Sequence, residues 1–169
     1  MGGSARPPVA ARARRAAFEG ALAQAARTMA QLEAAVAAFP PDFDSSAFAA
    51  AWGSRDADER NRAMLVRSNM DDLHNLCQTL IALSVRVAQD AGAIPADRKT
   101  PAADQLRSLH LYPKEIEHLM VEVADLRNSS QHEYWLLEPG AVHAAVERER
   151  RALPAFLAAL GAWIESLSW

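Results

Sequence analysis

The one grouping in this chain whose residue types and spacing could do chemistry is Arg127-Asn128-Ser129-Ser130-Gln131-His132-Glu133-Tyr134. A guanidinium forks onto phosphate or carboxylate oxygens and keeps its charge at any working pH. An imidazole takes up and returns protons near neutrality. With an amide directly after the Arg and a phenol two residues beyond the His, the octet could hold a phosphate group and move a proton beside it.

The residues leading into the octet must position it. From Lys114 onward the apolar side chains are Ile116, Leu119, Met120, Val123 and Leu126. That is the spacing of one buried helix face. Arg127 lies three turns on from Ile116, at the centre of the stripe, where Leu or Val is expected. An unpaired buried guanidinium is very costly. So Arg127 either meets a buried acid or marks where the face opens onto a polar cleft. Glu149 and Asp125 are the two candidate acids. His132 follows just past the last residues that the pattern assigns to this helix.

The octet resembles the signature of HEPN-superfamily ribonucleases: Arg, a polar residue, three more residues, His, one residue, Tyr. The trailing Tyr resembles in particular the HepT-like toxins, which pair with a nucleotidyltransferase (MNT) antitoxin. The resemblance extends from about Asp58 to the C-terminus and leaves the first fifty or so residues unmatched. It departs from the family at Ser129-Ser130-Gln131, which is polar where family members commonly carry an apolar pair before the His.

The resemblance implies a metal-independent endoribonuclease with no cofactor. Its composite active site forms where two protomers of a homodimer bring their Arg/His motifs together. Carried onto this chain, Arg127 would clamp phosphate and His132 would be the general acid or base. Asn128 would orient the catalytic side chains or bind phosphate. Tyr134 would be the AMPylation target of the MNT antitoxin; its plain alternative is a half-buried aromatic with a bonded hydroxyl. A different class of reading is a non-catalytic HEPN-like helical module that binds nucleotide or a partner protein.

The bulk properties set the frame. The 169 residues are 50% hydrophobic and 23% charged, with a formal net charge of -3. Mean hydropathy is -0.13 and the pI is near 5.9. A general nucleic-acid binder would be basic, so any RNA contact must be local. Ala is abundant, Gly and β-branched residues are few, and strand-like alternation is absent, which predicts an all-α fold. A single Cys, Cys77, excludes an internal disulfide. No apolar run approaches membrane-spanning length, so a cytoplasmic protein without membrane contact is expected.

Taken in order, residues 1–11 read as a disordered lead and 12–169 as a single helical HEPN-like domain. Arg12, Arg14 and Arg15 read as a solvated helix start. A first helix from about Val9 to Phe39 carries the seam Phe18, Leu22, Ala25, Met29, Leu32, Val36 and Phe39. Pro40-Pro41 stops it, and Asp44 or Ser45 caps a short helix ending at Trp52, a packing residue. A long helix from about Asp58 to Gly92 carries Val66, Met70, Leu73, Cys77, Leu80, Ser84 and Val87, widened by Leu76 and Ile81. Thr100 is expected to cap a short helix over Pro101–Leu109. His110 to Pro113 reads as a turn. A last helix from Pro139-Gly140 carries Val142, Val146, Leu153, Phe156, Leu160 and Trp163, with Glu149 on the seam and a kink expected at Pro154. Arg148, Arg150 and Arg151 read as its solvated face. The expected architecture is a HEPN-like four-helix bundle with an extra long N-terminal helix and short accessory helices.

Two patterns compete with the octet. His74 and Cys77 stand one turn apart and could hold a metal, but no second ligand pair accompanies them. Arg67 and His74 satisfy the loosest Arg-to-His spacing, yet they lie mid-helix without the polar Asn or the Tyr. Such a pair arises readily by chance.

Overall fold

Two aspartates and a proline fix where three of the helices begin. The Asp44 carboxylate accepts the Ala47 amide, at 2.9 Å, and opens α2 (Ser45–Trp52). Asp56 accepts the amides of Asp58 and Glu59 and opens α3 (Ala57–Asp90). Each cap satisfies backbone donors that have no partner within the helix. Pro139 stands in the first turn of α5 (Pro139–Ser166), where its missing amide is no loss. Before these comes α1 (Val9–Ala37), and between α3 and α5 the short α4 (Ala102–Arg107).

This computed structural model describes residues 9–40, 43–111 and 138–168. Among them there is no strand, and the chain is all-α, as composition predicts. The segment 112–137 holds the expected motif helix and octet, and lies outside the described residues.

The stop after α3 is made by Gly92, at φ 70. The Ala93 amide reaches back to the Ala88 carbonyl at 2.9 Å, and the Gly92 amide to Gln89 at 3.1 Å. This pair of bonds is a Schellman closure, and it needs the left-handed conformation that glycine adopts without cost. The short α4 differs from expectation. Pro101 occupies the cap position, without a side-chain bond, and the helix ends at Arg107. Thr100 is engaged elsewhere: Asp97 accepts the amides of both Lys99 and Thr100.

Packing is centred on α3, which touches α1, α2, α4 and α5; α5 also packs on α1 and α2. All seven seam residues of α3, Val66 to Val87, are buried. So are Phe18, Ala25, Leu32, Val36 and Phe39 of the first seam, while Leu22 and Met29 are partly covered. Val142, Val146, Leu153, Phe156 and Leu160 complete the core from α5, with Trp163 half-buried. Each large side chain so buried stabilises the fold by about 1.5–3 kcal/mol. At Gly161 the two helices come close: a Cβ there would stand 3.2 Å from Leu22 Cδ2. Helix α5 runs on through Pro154, which faces solvent.

Two outcomes follow for stability. Phe18→Ala, at a fully buried core position of α1, lowers unfolding free energy by about 3–5 kcal/mol, read as a lower urea midpoint at unchanged slope. The second concerns acid. The Glu59 and Asp58 amides hold the Asp56 carboxyl below its ordinary value of 3.8. Its charged form therefore stabilises the fold above that value, and the gain is lost as pH falls through the depressed value. Asp56→Asn keeps a cap but no charge. The stability gap between wild type and this variant should be constant at neutral pH and close on acidification below about pH 4.

Candidate functional site

The octet residues Arg127, Asn128, His132 and Tyr134 all fall in 112–137, outside the described residues, as do Asp125 and His118. In chain order the described residues on either side of that segment end at Leu111 and resume at Glu138. His110, exposed just before Leu111, has a φ of 49, which fits the expected turn. Glu138 precedes α5.

Between α3 and α5 lies a buried polar cluster that spacing along the sequence does not assemble. Arg67, Asp71 and His74 share one face of α3, at helical spacings of four and three. Arg67 and His74 are buried, at 3% and 2% exposure. Glu149, fully buried on α5, closes the row: His74 Nε2 donates to Glu149 Oε2 at 2.7 Å. Glu149 was expected to meet an Arg; the described partner is a histidine. The other carboxylate oxygen, Oε1, has no hydrogen-bond partner among the described residues. Arg67 Nε stands 3.6 Å from Asp71 Oδ2, and its guanidinium lies 5.6 Å from the centre of the Trp52 ring, within cation–π range. Trp52 is thus a packing residue, and it packs on a cation as well as on Phe48.

The electrostatics show how tightly the row is coupled. Burial raises the Asp71 carboxyl above its ordinary value; Arg67 and then His74 oppose this, while Asp72 and Glu149 add to it. Cys77 lies one turn beyond His74, fully buried. Burial first, and then the Glu149 charge, push its thiol up to about 12. That makes Cys77 an inert core residue, as the seam predicts. The suggested His74–Cys77 metal pair gathers no further ligands: among the described residues no three His, Cys, Asp or Glu side chains are grouped to hold a metal. The Arg67–His74 spacing, set aside as coincidence, belongs to this row.

A second contact sits at the start of α5. His143 Nε2 hydrogen-bonds the Phe43 carbonyl, and the two rings stack with centroids 4.5 Å apart. Phe43 has a φ of 44, unusual for a bulky side chain, so the surroundings must hold it there. Phe39 and Phe48 both flank it edge-on. Farther along, Arg150 is no solvated residue. It grips Glu33 of α1 through two nitrogens, at 2.8 and 2.6 Å, and also Glu147 at 2.7 Å. At the other end of α1, Arg14 makes a two-nitrogen contact with Asp90 of α3. The signal for the buried row was present in sequence: three ionisable residues one position along from the α3 seam, opposite one on the α5 seam.

The state of Cys77 is directly testable. A thiol-disulfide reagent at pH 8 should leave the native protein unlabelled and modify one thiol per chain once denaturant is added. Rapid labelling of native protein would contradict the burial described.

The arrangement can hold charges in a fixed order between two helices. Among known proteins, the sequence model of the family described as Ribonuclease HepT-like matches residues 51–160. That stretch takes in α3, α4, most of α5 and the whole octet. No curated protein and no solved structure matches the chain. Matched over most of its length and folded as an all-α bundle, the chain belongs to the HepT-like ribonuclease family.

Proposed function

We propose that this chain is a metal-independent endoribonuclease of the HEPN type, acting as the toxin of a toxin–antitoxin pair. The observation that carries the reading is the octet Arg127 to Tyr134 lying inside the stretch that matches the ribonuclease family. In the reaction the 2′-oxygen attacks the adjacent phosphorus, forming an O–P bond as the bond to the 5′-oxygen breaks. One proton leaves the 2′-hydroxyl and one reaches the departing 5′-oxygen. His132 serves one of these transfers, at a pKa range suited to it. Arg127 holds the phosphate oxygens as charge builds on them. Asn128 orients these groups or binds phosphate. One His and one Arg per protomer serve two proton transfers poorly. Two copies in a homodimer, facing each other across a composite cleft, serve them well.

Tyr134 gives the site a means of control. A cognate MNT antitoxin that transfers AMP to its hydroxyl would place a bulky anion beside Arg127 and His132, where it blocks the cleft and repels RNA phosphate. The retention of Arg, Asn, His and Tyr together favours this reading over a silent binding module.

The test uses purified wild type, Arg127→Ala and His132→Ala with total RNA in EDTA, after mass analysis shows Tyr134 unmodified. Wild type should leave 2′,3′-cyclic phosphate and 5′-hydroxyl ends. Each variant should lose about 10²–10⁴-fold in rate. No cleavage by unmodified wild type would move the assignment to the nucleotide- or protein-binding module.

A further inference from the structure

We draw no further inference here: the strongest candidate, the side-chain cluster of Arg67, Asp71, His74 and Glu149 buried between α3 and α5, restates the packing of these two helices already described, and among the described residues nothing beside it shows what it would bind.

Discussion

The contact between His74 and Glu149 constrains the fold more than any other described. A carboxylate in the interior must be met by a donor, and removal of that donor leaves an uncompensated charge out of water. A shift of one helix along the other would part the pair and leave both groups buried without it. Hydrophobic burial drives α3 and α5 together; the buried pair selects which of several similar packings results. Arg67 and Asp71 extend the same requirement along α3, with Trp52 set against the guanidinium.

Much of this was legible from spacing. The four-three repeats of α1, α3 and α5 name the buried residues almost one for one, because side-chain volume at those positions decides the packing. The Asp44 cap, the Gly92 stop and Pro139 were readable for the same reason: each depends on local backbone chemistry. Partners across helices were harder. Glu149 stood out as an acid on an apolar seam, and the sequence suggested Arg127 for it; only three dimensions bring His74 to 2.7 Å. Arg67 and His74 looked like chance because one-dimensional spacing says nothing of burial. Arg150 looked solvated because Glu33 lies far away in sequence. The octet was readable as a pattern of residue types. Its residues lie outside the described part of the chain.

The family match begins at residue 51, so α1 and most of α2 precede it. Yet α1 is no appendage. It packs on both α3 and α5, it contributes Phe18, Leu32 and Val36 to the common core, and it is pinned to them by Arg14–Asp90 and Glu33–Arg150. The unmatched helix thus covers the same two elements that hold the buried row. The buried row on α3 and α5 is braced by sequence outside the family pattern.

Pro154 divides α5 in a way that its buried face does not reveal. It has no amide to offer the carbonyl one turn earlier, at Arg150, so the backbone ladder is interrupted on the solvent side. Fraying that enters from Ser166 meets a natural boundary there, and so does fraying that starts at Pro139. The two halves can open as separate cooperative units. The half with Glu149 then shares its fate with α3 and the turn at Phe43, and the half with Phe156 and Leu160 shares its fate with the apolar core.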